Sequence, residues 1–382
     1  MRISDCYNIN DFRQLARRRL PWPVFDYIDG AADDELTKAR NTAAFDVCDL
    51  VPDVLAGVAE IDTSVTILGR KSALPLILSP TALQRIFHWQ GERAVADVAQ
   101  KYGLWFGISS LATVSIEEIA ARVSSPKMFQ LYVHKDQGLN RSMIERCQAA
   151  RFDCLTLTVD TIVSGKRERC LRSGFKSPPT FTPSSLLSYA TRPRWAMDYV
   201  FREKFRLPQL DGHVAEGTGK SVSIQDYFSH MLDTTMTWDS AARIRQDWGG
   251  TFCLKGVMSA ADAARAVEIG ADAIMVSNHG GRQLDGSRAP FDQIREIADA
   301  VGGQIEIICD GGVRRGTHVL KALAAGASCA SGGRLYLYAL AAAGYAGVDR
   351  AVGLLKDEIE RDMRLMGVSS LAELTPDRLR WR

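Results

Sequence analysis

In the stretch IMVSNHGGRQLDGS (274–287), an apolar run ends abruptly on Ser277, Asn278, His279, two glycines, Arg282 and Asp285. Imidazole titrates near neutral pH and suits proton abstraction. A guanidinium three residues on offers a planar fork for a carboxylate or phosphate. Together they would take a proton from a substrate and hold its anionic group. Two glycine turns, DGGVRRG (310–316) and SGGRL (331–335), each carry an arginine, Arg314 and Arg334. Glycine lets backbone N–H groups approach an anion closely, so these turns, with Gly311, Gly312 and Gly333, read as a phosphate site.

Residues so scattered need a scaffold that converges them. Short apolar runs recur at 74–80, 104–110, 127–133, 153–160, 251–257, 272–278, 304–312 and 326–334. Helical patterns lie between most of them, as in SAADAARAVEIGA, where Ser259 with Asp262 three residues on makes a helix start. Strand–helix alternation repeated eight times is the pattern of an α/β (β/α)8 TIM barrel. The eighth run is diluted by Ser328, Ser331 and glycines. Barrel sites sit at the C-terminal strand ends, and every run here ends on a polar residue or glycine. The first delivers Pro80, Thr81 and Ala82, the second Ser109, the third Gln130 and Tyr132. The fourth delivers Thr158 and Asp160 with Arg167 beyond, the fifth Lys255, the sixth Ser277, His279 and Arg282. The seventh gives Asp310 and Arg314, the eighth Gly333 and Arg334.

Residues 1–70 read as a mostly helical lead-in, with helical spacing at Phe12, Leu15 and Ala16 broken by Pro21 and Pro23; residues 71–382 read as the barrel. The rhythm breaks once, between the fourth and fifth strands, where a long insertion includes a loop at about 175–225. Such an insertion in a compact domain is a lid, a binding loop or a disordered segment.

The chain has 382 residues, 46% hydrophobic and 24% charged, with a net charge of +2. So small a charge argues against nucleic acid as a partner. No apolar run reaches the roughly 20 residues of a membrane span, and the first residues lack the apolar core of a signal peptide, so a cytoplasmic location is expected. The eight cysteines form no C-x-x-C pair, so no metal site is expected. Cys154, Cys253 and Cys309 read as buried strand residues. His88 and His134 read as ordinary surface histidines.

The blocks VFDYIDGAADDE, PTAL, FQLYV, TVDT, LKG, SNHGGRQLD, DGGVRRG and LMGVSSLAELTPD, in this order and spacing, resemble the FMN-dependent L-2-hydroxy-acid oxidase and dehydrogenase family. That family includes glycolate oxidase and the bacterial L-lactate and L-mandelate dehydrogenases. The resemblance covers nearly the whole chain and implies FMN as cofactor and a homotetramer. It implies that Tyr27, Tyr132, Arg167, His279 and Arg282 surround the substrate and that Asp160 pairs with the histidine. Thr81, Ser109, Gln130 and Thr158, with the backbone of Pro80 and Ala82, would line the flavin ring. Lys255 would stand near flavin N1 and O2, and Ser277 near the ring or ribityl chain. Asp310, Arg314, Gly333 and Arg334 would hold the ribityl and phosphate groups. His279 as base, oriented by Asp160, and Lys255 beside developing negative charge agree with the chemistry of oxidising a hydroxy acid. Another phosphate-binding barrel enzyme, an isomerase for example, would need a loop cysteine that this chain lacks.

Three departures stand out. Leu111 replaces a bulky tryptophan of glycolate oxidases, Asp29–Gly30 departs from a more glycine-rich form, and no haem domain is expected ahead of the barrel. Between Lys176 and Arg206 the insertion holds Lys176, Arg192, Arg194, Arg202, Lys204 and Arg206, interleaved with Phe181, Tyr189, Trp195, Tyr199, Phe201 and Phe205. Basic plus aromatic residues suit an anionic membrane surface, and the segment resembles the loop of membrane-associated relatives that pass electrons to quinone. The expectation is L-lactate oxidation with quinone as acceptor, peripheral on the inner face of the cell membrane. The alternatives are a mandelate-type dehydrogenase and a soluble enzyme that reduces O2 to H2O2, the latter favoured by Ala82, which is common in the family's oxidases.

Overall fold

A computed structural model describes the chain apart from residues 176–182, 204–205, 212–230 and the side chains of 183–186. Eight parallel strands close a barrel: β4 (Leu76–Thr81), β5 (Trp105–Ser109), β6 (Lys127–Leu131), β7 (Cys154–Thr158), β8 (Thr251–Val257), β9 (Ala273–Ser277), β10 (Glu306–Asp310) and β11 (Cys329–Gly332). The diluted eighth run is a strand, bonded to β10 on one side and β4 on the other, and it closes the ring. Serine and glycine serve there because the run needs only backbone pairing on both edges.

Before the barrel come α1 (Ile9–Arg19), α2 (Trp22–Asp29) and α3 (Leu36–Ala43). Ile9, Phe12, Leu15 and Ala16 are the buried face of α1, and the break between α1 and α2 falls at Leu20–Pro21, ahead of the proline-led start of α2. The lead-in also makes strands, which its helical spacing hides. β1 (Cys48–Leu50) pairs with β12 (Leu379–Trp381), joining the two ends of the chain. β2 (Val65–Ile67) and β3 (Arg70–Ser72) form a hairpin. Its turn residues Leu68 and Gly69 have φ of 47° and 71°, the left-handed pair that matches strand twist. The amide of Leu68 donates to both carboxylate oxygens of Glu306 at 2.9 and 3.0 Å. Ile67 and Leu68 there pack on Ile77, Trp105, Met128 and Cys154 and plug the N-terminal end of the barrel.

Ser259 caps its helix as expected, accepting from the amide of Asp262. All eight cysteines are free, and Cys154, Cys253 and Cys309 are fully buried. The two histidines expected at the surface are not there. His134 is 0% exposed, its amide held at 2.9 Å by the Asn140 side chain, and His88 is half-buried. Each imidazole offers two polar atoms that local bonds can satisfy, so burial carries little penalty.

Candidate active site

At the C-terminal ends of the strands lies a cleft lined by Tyr27, Pro80, Thr81, Ala82, Tyr132, Arg167, Lys255, His279, Arg282, Asp310, Gly311, Gly312, Arg314, Gly333 and Arg334. Of the residues singled out by sequence, Asp160 and Ser277 touch this lining from behind. Ser109, Gln130 and Thr158 lie at the ends of β5, β6 and β7, each at most 2% exposed.

His279 follows β9 in the left-handed region, φ 58°. Its Nδ1 is 3.0 Å from Asp160 Oδ1, and its Nε2 is 3.4 Å from the Tyr132 hydroxyl. Donation of Nδ1–H to Asp160 fixes the tautomer and turns the Nε2 lone pair into the cleft. Burial pushes the His279 imidazole below its ordinary 6.5, and Asp160 opposes that shift. The ring is thus neutral at pH 7 and able to accept a proton. Burial also pushes the Tyr132 hydroxyl well up, so it stays protonated. Gly281 lets the turn after His279 pass beside α3: a Cβ there would stand 2.6 Å from the amide nitrogen of Lys38, and φ is 74°.

Across from His279, two arginines flank one aromatic ring. The guanidinium carbons of Arg282 and Arg167 lie 4.9 and 6.0 Å from the centre of Tyr27. Arg282 spends its Nη1 on the carbonyls of Tyr27 and Gly30, at 2.7 and 3.0 Å, which turns the Nε–Nη2 edge to the cleft. Arg167 is half-buried and held down at about 10, first by desolvation and then by the charge of Arg282. Two guanidinium groups on one ring give the cleft a positive wall that suits an anion.

The floor is a polar network. Lys255 is paired with Asp310, and its Nζ donates to Ser277 Oγ at 2.8 Å. Ser277 and Ser79 donate to the two Asp310 oxygens at 2.8 and 3.0 Å. Burial would raise the Asp310 carboxyl, but the charge and hydrogen bond of Lys255 together with the serine hydrogen bonds hold it down at about 2. Ser109 Oγ donates to Gln130 Oε1 at 2.7 Å, which leaves Gln130 Nε2 buried without a partner; Thr158 Oγ1 is likewise orphaned. Unmet buried polar atoms cost about 1–3 kcal/mol each. Here they lie at the strand ends that carry the cleft, where a flat heterocycle with rim donors and acceptors would satisfy them, so the residues fit a flavin.

Two expected anion forks are partly engaged elsewhere. Arg334 donates through Nε, Nη1 and Nη2 to the carbonyls of Ile28, Gly280 and Gly30, at 2.9, 2.7 and 2.7 Å. It buckles the end of α2 to the His279 turn and keeps one N–H on each terminal nitrogen for a ligand. Arg314 lies 5.7 Å from the ring centre of Tyr338. Gly312 is required as much by α3 as by any ligand, since a Cβ there would collide with the Asn41 carbonyl. The Thr81 hydroxyl turns to Tyr336 Oη at 2.7 Å. Leu111 is buried and does not line the cleft. Sequence reasoning missed Ser79, Phe87 and Asp29. Asp29 is 0% exposed and ties Arg13, Arg169, Lys38 and Tyr338 together behind α2. Its neighbours come from four distant segments, and nothing in the local sequence marks them.

The sequence model of the FMN-dependent dehydrogenase family matches residues 16–381. The chain belongs to that family. It is 40% identical to an L-lactate dehydrogenase of Alcaligenes faecalis over 97% of both chains. It is 39% identical to an L-lactate oxidase of a Nostoc species, again over 97% of each. The crystal structure of the monotopic membrane protein (S)-mandelate dehydrogenase superposes with a TM-score of 0.94 at 33% identity, covering 99% of this chain and 100% of that one. This FMN-dependent dehydrogenase is thus an enzyme that uses FMN to oxidise L-2-hydroxy acids. Among the described residues no helix is long and apolar enough to cross a membrane.

In the insertion, Tyr189 is buried, Trp195 and Tyr199 are half-buried, and Phe201 is exposed. Tyr189 and Tyr199 stack on Trp195, at 5.4 and 5.0 Å between centres, and Trp195 Nε1 donates to the Ile86 carbonyl at 2.7 Å. Among the described side chains of the helices Pro183–Ala190 and Pro193–Phe201, the outward apolar residues are Leu187, Met197, Val200 and Phe201, up to 81% exposed. Phe181, Phe205, Lys176 and Lys204 lie outside the described residues.

Proposed function

We propose that the preferred substrate is L-lactate, that His279 is the base, and that the electrons pass to a quinone at a membrane surface. The observation that carries the reading is the His279–Asp160 pair in one cleft with the two half-buried arginines that flank Tyr27. Arg282, through its Nε–Nη2 edge, and Arg167 hold the carboxylate. Tyr27 and Tyr132 close over it, and the C2 hydroxyl lies toward His279 Nε2. The base takes the hydroxyl proton, and Asp160 stabilises the imidazolium that results. Bound FMN supplies the two-electron acceptor for the substrate's C2–H bond.

Gln130 and Thr158 would offer their unpartnered Nε2 and Oγ1 to bound FMN, with Pro80, Thr81, Ala82 and Ser109 beside it. Lys255, steadied by Ser277 and Asp310, would offer it positive charge. Arg314, the remaining N–H groups of Arg334, and the turns at Gly311, Gly312 and Gly333 would take its phosphate. A small substrate side chain agrees with the aromatic stack in which Phe87 and Phe175 flank Tyr27 at 6.1 and 4.6 Å.

The membrane reading is supported by exposed Leu187, Met197, Val200 and Phe201 beside Arg192, Arg194 and Arg202, and by the likeness to a monotopic relative. The assembly is a homotetramer. A second reading, a soluble O2-reducing oxidase, is favoured by Ala82 and by the relative named L-lactate oxidase. Reoxidation of lactate-reduced enzyme by O2 and by a soluble quinone, with liposome cosedimentation, separates the two. Fast reoxidation by O2 without liposome binding would reject the membrane reading.

A further inference from the structure

Beside the cleft lies a second cavity of about 620 Å³. It opens between the end of α1, the short helix Gln84–Phe87, the helix Pro193–Phe201 and the C-terminal helix near Ala342. Phe87 lines both spaces, and its ring stacks on Tyr27 with centres 6.1 Å apart. A single aromatic side chain therefore partitions this cavity from the catalytic cleft.

The walls combine flat rings with positive charge. Trp195 is pinned by its bond to Ile86, and Tyr199 stacks on it at 14°. The Arg202 guanidinium lies 4.5 Å over the ring of Trp89. Among the described residues, six arginines line the space against two carboxylates, Asp198 and Glu203. Arg85 uses Glu203, donating to its carbonyl at 2.6 Å and lying 3.3 Å from its carboxylate. Two carboxylates cannot balance six guanidinium groups, so the cavity holds a positive potential. A ligand suited to it is planar, has apolar faces, carries oxygen acceptors at its rim, and gains negative charge while it is bound. A quinone has all four properties, because the electron density it receives collects on its two oxygens.

We propose that this second cavity binds the quinone ring of the electron acceptor, one side chain away from the flavin site. The inference rests on the quinone reading given above and adds the place where the acceptor binds. Oxidising a C–H and O–H pair to C=O releases two electrons and two protons. Converting the two quinone C=O groups to C–OH consumes the same two electrons and two protons, so no further reductant or acid is needed. Separate places for substrate and acceptor also mean that the hydroxy acid need not leave before the quinone arrives.

The test uses FMN-loaded enzyme and a soluble short-chain ubiquinone. With no substrate present, the quinone should quench tryptophan emission saturably, since Trp89 and Trp195 line the cavity. A Tyr199→Ala, Arg202→Gln double variant loses a ring stack and a cation over a ring. It should bind the quinone about tenfold more weakly and be reoxidised by it correspondingly more slowly at low quinone. Its flavin content and its bleaching by L-lactate should stay within about twofold of wild type. Met197→Trp, at a 54%-exposed position on the rim, fills the space by a second route and should act the same way. Equal quenching and equal reoxidation in wild type and both variants would overturn the site. A wild type that quinone does not reoxidise at all would instead overturn the acceptor reading on which the site rests.

Discussion

The N-terminal end of the barrel is dry: Ile77, Trp105, Met128, Cys154, Cys253 and Cys329 meet there at 0% exposure beneath the β2–β3 hairpin. At the other end the same strands finish on Ser109, Gln130, Thr158, Lys255, Ser277 and Asp310, also buried but polar. Parallel strands make this asymmetry possible, because all eight chains run from the plugged end to the open one and all their following loops gather at one mouth. The dry end is held by packing, and its Trp105 Nε1 is buried without a partner; the polar end leaves Gln130 Nε2 and Thr158 Oγ1 without partners at the strand ends that carry the cleft. One end should therefore govern stability and the other turnover, and substitutions can separate them.

The largest effect on turnover is expected from His279→Ala, a fall of about 10⁴-fold with FMN retained, because the base is lost while the phosphate site is intact. Steady-state rates per bound flavin measure it. Next comes Arg282→Met, which removes a charged fork. It should raise KM, lower kcat and reduce kcat/KM by about 10²-fold or more. Arg314→Met should differ by shedding FMN on gel filtration; the reverse pattern would mean that the two roles are exchanged.

Asp160→Asn should give a smaller but diagnostic change. Asp160 raises the His279 pKa against the burial that lowers it. In the wild type, kcat/KM falls as pH drops through that lowered value and the base becomes protonated. Without the carboxylate the pKa drops further, so the acid limb of the profile should move to lower pH while the plateau falls. An acid limb that stays in place would detach Asp160 from the base. At the dry end, Met128→Ala should leave turnover per flavin unchanged and cost about 2–5 kcal/mol of stability through the cavity it creates, read from denaturant unfolding.

Legibility in the sequence followed the range of the interactions. The eight strands were readable because each is a local apolar run bounded by its own turn. Residues such as His279, Lys255 and Asp310 were readable because barrel topology assigns strand ends to the site. Asp29 was not, because a buried carboxylate is recognised by its partners, and Arg13, Arg169, Lys38 and Tyr338 are spread along the chain. The β1–β12 pair joins the two chain ends through three-residue strands, too short to carry an alternation. The engagement of Arg334 with the carbonyls of α2 was hidden for another reason. Residue type tells what a guanidinium can bind, and only the fold tells what has already taken its donors.

The proposed function makes the polar mouth a chiral site, with the carboxylate held by Arg282 and Arg167, the hydroxyl at His279, and the C2 hydrogen left for the bound FMN. Three fixed points accept one enantiomer. Anaerobic mixing of the FMN-loaded protein with L-lactate or D-lactate, followed by flavin absorbance, tests this most directly. The expected result is rapid bleaching by L-lactate and none by D-lactate. Equal bleaching by both, or bleaching by D-lactate alone, would contradict it.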